Sequence, residues 1–226
     1  MSDSLDPVDA LVLDGAVTDD DTVDPVLRQR LQEATMRAMT DDVGRLVARA
    51  LASADEDGLV DVAWAVADTP IGPLTVAATP VGLVRVGFGD AEAVADELAA
   101  AVSPRVVRLP GRLDDVRRQL DEYFAGARRD FDVPIDRRLS HGYRLKVLEA
   151  LSRVPYGVIV TYKDLAVATE NPGAVRAVGT AMATNPIPIV VPCHRVVRSG
   201  GSLGNYGGGP ETKAWLLRHE GAPLLT

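Results

Sequence analysis

The sequence predicts an α+β protein: a small N-terminal α/β domain over residues 61–136, followed by a mainly helical C-terminal domain over 137–226. Three observations predict it. Short alternating apolar runs fill the stretch after residue 60 and give way to segments of helical spacing. Beyond Ile135 helical spacing dominates, and there Asn171-Pro172-Gly173 separates two short helical segments, the spacing of a helix-turn-helix. With 226 residues, 46% of them apolar, the chain is long enough to bury one large core or two small ones.

Residues 1–60 form an acidic extension. The first 24 hold eight Asp and no Lys, Arg or aromatic residue, the composition of a disordered tail. From Pro25 to about Ser53, Leu27, Leu31, Ala34, Ala38, Leu46 and Ala50 keep roughly helical spacing, with Asp24 as cap and Pro25 at the first position. This helix reads as a docking or self-association element whose partner the sequence does not name.

Val60, Val62, Trp64 and Val66 alternate with small or polar residues and predict a strand. After the Pro70-Ile71-Gly72-Pro73 turn come a second strand, Leu74–Thr79, and a third, Leu83–Phe88. Asp90 caps a helix reaching about Val102, Arg105–Leu109 is a short strand, and Leu113–Phe124 is a helix stopped by Gly126. In the last part, Tyr143–Leu151 is a helix and Val158-Ile159-Val160 an extended run. Thr161 caps a helix through Lys163–Ala168, Ala174–Thr184 is the second helix of the pair, and Lys213–Arg218 is the last.

The formal net charge of -8 argues against a polyanionic partner, but its distribution does not. Residues 1–61 carry 15 acids against 5 Arg, whereas residues 137–226 carry 11 Lys and Arg against 5 acids. A phosphate-binding C-terminal surface is therefore permitted. The acidic start, Met1-Ser2-Asp3-Ser4, is unlike a signal peptide, and no run approaches about 18 uninterrupted apolar residues. The one cysteine has no internal disulfide partner, so the expected location is a reducing one, cytoplasmic (bacterial cytosol or nucleoid).

That cysteine, Cys193, lies in Asn185-Pro186-Ile187-Pro188-Ile189-Val190-Val191-Pro192-Cys193-His194-Arg195. Three prolines within seven residues hold the backbone on a rigid path, and Pro192 fixes where the sulfur points, as a nucleophile requires. Beyond it, Gly200-Gly201 and Gly207-Gly208-Gly209 flank Asn205-Tyr206, a loop able to approach a flat ligand closely.

Together, Val154-Pro155-Tyr156-Gly157, Thr161-Tyr162, Arg176-Ala177-Val178-Gly179, Asn185-Pro186, Pro192-Cys193-His194-Arg195-Val196-Val197, Gly204-Asn205-Tyr206, Lys213 and His219-Glu220-Gly221 resemble the catalytic domain of the O6-alkylguanine-DNA alkyltransferases (methylated-DNA–protein-cysteine methyltransferases). Thr69-Pro70-Ile71-Gly72-Pro73-Leu74 resembles their N-terminal domain, and the likeness runs from Val62 to Gly221. It implies a ribonuclease H-like N-terminal domain and a (winged) helix-turn-helix in the C-terminal one. The implied activity is single-turnover transfer of an alkyl group from O6-alkylguanine, and from O4-alkylthymine, in double-stranded DNA to an internal cysteine.

The resemblance also implies roles. Cys193 is the acceptor, His194 takes its proton through a water, Glu220 orients the imidazole and Asn185 braces the active-site turn. Arg176 is the finger that fills the space of a flipped base, and Tyr162 contacts the flipped nucleotide. Ala174 and Ala177 allow close approach of the recognition helix to the minor groove. Apart from the resemblance, Arg195 reads as a further DNA contact, and Arg195, Arg198 and Lys213 are each open between a phosphate contact and a solvated surface charge. Pro188, Val196, Tyr206 and Gly207 line the alkyl pocket. Some relatives carry serine at position 207, so glycine there predicts a more open pocket. No cofactor, no metal and no membrane partner are expected, since the cysteines and histidines of the zinc-binding members are missing. Two rivals stay open at this point: a non-catalytic module that binds alkylated DNA, and a cysteine hydrolase using Cys193 and His194.

Overall fold

A computed structural model of the chain describes residues 25–223. The acidic stretch 1–24, expected above to be a disordered tail, lies outside the described residues. The chain divides into two compact units, Met1–Val47 and Ala48–Thr226. Most of helix α1 (Pro25–Glu56) belongs to the first, and its Met36, Met39, Val43 and Leu46 side chains are exposed. The helix runs one turn past the expected Ser53. It ends where Gly58 takes φ 70° and the Leu59 amide returns to the Ala54 carbonyl at 2.8 Å, a glycine-based C-terminal stop.

In the second unit, β1 (Val62–Ala67), β2 (Leu74–Thr79) and β3 (Gly82–Phe88) form an antiparallel meander. Helix α2 (Ala91–Ala101) then crosses over, so that β4 (Val106–Arg108) lies parallel to β1, in the order β3-β2-β1-β4. The Asp90 side chain accepts from the Glu92 amide at 3.1 Å, the expected cap of α2. Alternation along the strands buries both faces of the sheet. Val62, Trp64, Ala77 and Val84 pack with Val94 and Leu98 of α2, whereas Ala65, Leu74, Val76 and Val86 join the main core. Each Val or Leu side chain so buried contributes about 1.5–3 kcal/mol.

Residues 110–113 make a 3₁₀ turn, and α3 (Asp114–Phe124) follows with Leu120 and Tyr123 fully buried. The chain then returns along β3. The Leu83 amide donates to the Pro134 carbonyl at 2.8 Å, the Asp136 amide to the Leu83 carbonyl at 2.9 Å, and Thr79 Oγ1 to Asp136 Oδ2 at 2.6 Å.

The helical part comprises α4 (Gly142–Leu151), α5 (Tyr162–Ala168), α6 (Val175–Ala183) and α7 (Gly209–His219). The start of α5 is a full capping box: Thr161 Oγ1 accepts from the Asp164 amide at 3.1 Å and Asp164 Oδ2 from the Thr161 amide at 2.8 Å. Beside it, β5 (Val160–Thr161) and β6 (Val196–Val197) pair in parallel. Of the expected extended run only Val160 enters this pair. Helix α7 starts four residues before the expected Lys213, because Pro210 and Glu211 open a helix that the glycine run conceals. Among the described residues no helix is long and apolar enough to cross a membrane, and no cluster of three metal-binding side chains occurs.

Candidate active site

The chain between α6 and β6 is a braced turn. Asn185 Nδ2 donates to the Val191 carbonyl at 2.8 Å, its Oδ1 accepts from the Ile187 amide at 3.1 Å, and the Val191 amide closes on the Ile187 carbonyl at 2.8 Å. One side chain thus spans the whole turn. Within it Ile189 adopts φ 75°, a left-handed conformation costing a β-branched residue about 1–3 kcal/mol. The Val86 amide of β3 also donates to the Pro186 carbonyl at 2.8 Å, tying the turn to the sheet. Cys193 leaves the turn as the first residue of a 3₁₀ turn, Cys193–Arg195, buried and hydrogen-bonded by the Asn185 side chain.

His194 is fully buried. Its Nε2 meets Glu220 Oε1 at 2.8 Å, while Nδ1 has no protein partner and is the nitrogen left to receive a proton. Glu220, at the C-terminal end of α7, is the hub. Its Oε1 also accepts from Tyr123 Oη at 2.8 Å and Arg195 Nη2 at 2.9 Å; its Oε2 accepts from Arg195 Nε at 2.8 Å and the Gly157 amide at 3.1 Å. Gly157 sits at φ 73°, and a β-carbon there would stand 2.8 Å from the Glu220 carbonyl oxygen, so Pro155-Tyr156-Gly157 requires its glycine. The Tyr156 hydroxyl donates to the His219 carbonyl at 3.0 Å, and its ring lies under the Arg195 guanidinium.

These contacts set the charges. Burial pushes the Glu220 carboxyl up, but the hydrogen bonds from His194 and Arg195, with the charges behind them, outweigh it and hold the group ionised far into acid. Burial dominates at His194 and depresses its basicity despite Glu220, so the resting imidazole is neutral. Burial also pushes the Cys193 thiol up to about 11, against the Asn185 hydrogen bond and the Lys213 charge. Reaching the thiolate at neutral pH therefore costs roughly 5 kcal/mol, and a nearby proton acceptor is needed.

Alongside lies a cavity of about 630 Å³, lined among others by Tyr162, Arg176, Gly179, Arg198, Tyr206 and Gly207. Tyr162 opens α5, half-buried, with its hydroxyl against Gly204, and Arg176 stands exposed on the first turn of α6. Ala177 is exposed beside it and Ala174 half-buried. Tyr206 packs edge-on to His194, with ring centroids 6.4 Å apart, and Phe88 of β3 packs on Tyr206 at 5.6 Å.

One expectation is corrected. Arg195 is not a DNA contact: it is buried, its guanidinium held by Glu220 and by the Val154 carbonyl at 2.5 Å. Val196 is fully buried in β6. Pro188 is buried within the braced turn, in a bridge with Val191. Lys213, open above to a surface role, is fully buried and donates to the Val196 carbonyl at 2.6 Å and to the Leu203 carbonyl. Sequence reasoning missed Tyr123 and Phe88, which reach the site from the α/β part and carry no local motif.

Fold and site together define a class: a thiol nucleophile with an imidazole–carboxylate pair, set beside a helix-turn-helix and backed by an α/β domain. Residues 62–137 match the description "6-O-methylguanine DNA methyltransferase, ribonuclease-like domain", and residues 142–222 match its "DNA binding domain". The chain is 38% identical over 158 residues to the constitutive methylated-DNA–protein-cysteine methyltransferase of Bacillus subtilis, covering 70% of this chain and 94% of the relative. It is 38% identical over 167 residues to the human methyltransferase of the same description, covering 70% and 79%. Among solved structures, Mycobacterium tuberculosis OGT in complex with DNA superposes with a TM-score of 0.61 at 37% identity, covering 71% of this chain and 95% of that one.

The chain belongs to the methylated-DNA–protein-cysteine methyltransferase family. It is a direct-reversal alkyltransferase that moves an alkyl group onto a cysteine, and its residues 142–222 are a DNA-binding domain.

Proposed function

We propose that the chain repairs O6-alkylguanine, and O4-alkylthymine, in double-stranded DNA by taking the alkyl group onto Cys193. The observation that carries this reading is the seating of the sole cysteine. It stands next to a buried imidazole whose Nδ1 is free to receive the thiol proton and whose Nε2 is held by Glu220. His194 accepts that proton, and Cys193 Sγ attacks the alkyl carbon. The S–C bond forms as the C–O6 bond breaks, and the electron pair passes to guanine, which takes up the proton released by the thiol. No outside acid is needed, and no step restores the thiol.

A base inside the stack cannot reach a buried sulfur, so the lesion must be flipped out. The exposed Arg176 at the head of α6 supports the finger role, with Ala177 beside it permitting a close minor-groove approach. Tyr162, at the cavity wall, is the partner of the flipped nucleotide, and Tyr206 and Gly207 receive the base. The buried reduced thiol fits a cytosolic or nucleoid location. The test is transfer of a tritiated methyl group from duplexes carrying O6-methylguanine, O4-methylthymine or neither. Acid-stable label should enter the protein from both lesions, fastest from the guanine; capture only from free base would contradict the DNA lesion as substrate.

A further inference from the structure

We infer that Tyr123, a residue of the α/β part, is a positioning member of the Cys193–His194–Glu220 relay, its hydroxyl setting how strongly the carboxylate holds the imidazole. The inference rests on the reading of Cys193 as acceptor. Tyr123 lies on α3, 97 positions before Glu220, and donates to Oε1 at 2.8 Å. That is the oxygen bonded to His194 Nε2 at the same distance. Five donors converge on Glu220: Tyr123, His194, two nitrogens of Arg195 and the Gly157 amide. A carboxylate offers about four lone-pair directions, so the donors on Oε1 compete. A proton donated by Tyr123 withdraws electron density that His194 would otherwise receive.

The residue is built to keep that contact. Its ring is fully buried, held edge-on by Phe124 at 5.2 Å and His219 at 5.2 Å, with Phe131 at 5.3 Å and Tyr156 at 6.1 Å. His219 Nε2 also pairs with the Tyr123 carbonyl at 2.8 Å, and the indole of Trp215 stacks on the same imidazole at 4.9 Å. Backbone and ring are thereby both anchored to α7. Burial first, then the Glu220 charge, keeps the phenol protonated over the whole working range, so it acts as a fixed neutral donor. Packing alone would be served by phenylalanine. A buried hydroxyl must find an acceptor, and this one is directed at the relay.

The other titratable or charged groups around His194 and Glu220 are Arg195 and Cys193 of the 3₁₀ turn, Lys213 of α7, Tyr156 before β5 and Tyr206 of the glycine loop. None of them comes from the α/β part; Tyr123 is its hydroxyl on the carboxylate. The α/β domain therefore takes part in the chemistry as well as the scaffold.

The test is Tyr123→Phe in the full chain, following single-turnover benzyl uptake from free O6-benzylguanine between pH 5.5 and 9. With one donor gone, Glu220 holds the His194 proton more tightly. The acid limb of the rate profile should move up by about half to one unit, and the rate at pH 7 should fall by about threefold at most. A limb that overlays the wild type, with only a lower melting temperature, would overturn the inference. Site-specific 3-fluorotyrosine at 123, a stronger donor of nearly the same volume, covers the case in which the phenylalanine variant folds poorly. It should shift the limb down, and no shift would equally overturn the idea. Retained benzyl uptake by Cys193→Ser would instead sink the acceptor reading itself, whatever Tyr123 does.

Discussion

Arg195 and Glu220 form a two-point ion pair, Nε to Oε2 at 2.8 Å and Nη2 to Oε1 at 2.9 Å, with both side chains out of solvent. The guanidinium neutralises the carboxylate that orients His194, so one buried charge supports another and neither reaches the surface. Arg195→Met should destabilise the fold by about 3–5 kcal/mol, because it leaves a buried charge unpaired. It should slow transfer from free base and from duplex alike, with the salt slope of DNA binding unchanged. A slope shallower by about one in salt titrations would return Arg195 to phosphate contact.

Arg176 should behave in the opposite manner. It is exposed at the head of α6 and makes none of the relay's contacts. Arg176→Ala should slow repair of O6-methylguanine in duplex by roughly 10- to 100-fold, the scale of a few kcal/mol for base extrusion. Transfer from free O6-benzylguanine should stay within about twofold. Parallel single-turnover rates on the two substrates decide it, and equal losses would remove the finger role.

The buried thiol gives a pH signature. Burial lifts Cys193 to about 11, so the folded state favours the protonated thiol. Its stabilising contribution is complete below the ordinary thiol range near 9 and is lost as pH rises toward 11. Iodoacetamide labelling of the resting protein should be slow at neutral pH and still rising at pH 10. A labelling midpoint at about pH 8.5, the value of a free thiol, would show an exposed sulfur.

The glycine loop makes a sharp contrast between neighbours. A β-carbon at 208 would stand 2.7 Å from the Phe88 ring, whereas one at 207 would lie 3.8 Å away in ordinary contact. Gly208→Ala should cost about 1–3 kcal/mol and displace Tyr206 from His194, lowering transfer. Gly207→Ser should fold normally and narrow the cavity, so its effect should be confined to bulky alkyl groups. Melting curves and rates with O6-methyl- and O6-benzylguanine separate the two.

Much of the architecture was legible in local pattern. Alternation marked β1 to β3, Thr161 marked the start of α5, and Asn171-Pro172-Gly173 marked the break before α6. Cys193 was legible from the prolines that fix its backbone, whereas the roles of His194 and Asn185 came from the family resemblance. What escaped was long-range. Arg195 and Lys213 read as surface charges, since nothing nearby in sequence supplies the carboxylate and carbonyls that accept them. Tyr123 and Phe88 carried no signal beyond their places in a helix and a strand, their contacts with Glu220 and Tyr206 lying about a hundred residues away. Periodicity reports that a side chain is buried; it does not report what its polar atom meets there.

The most direct measurement is intact mass with peptide mapping after incubation with excess O6-methylguanine duplex. The account predicts a permanent gain of one methyl group, about 14 Da, at Cys193 alone, one equivalent per chain and none in Cys193→Ser. Loss of methyl from the DNA without a mass gain, or more than one turnover per chain, would contradict it.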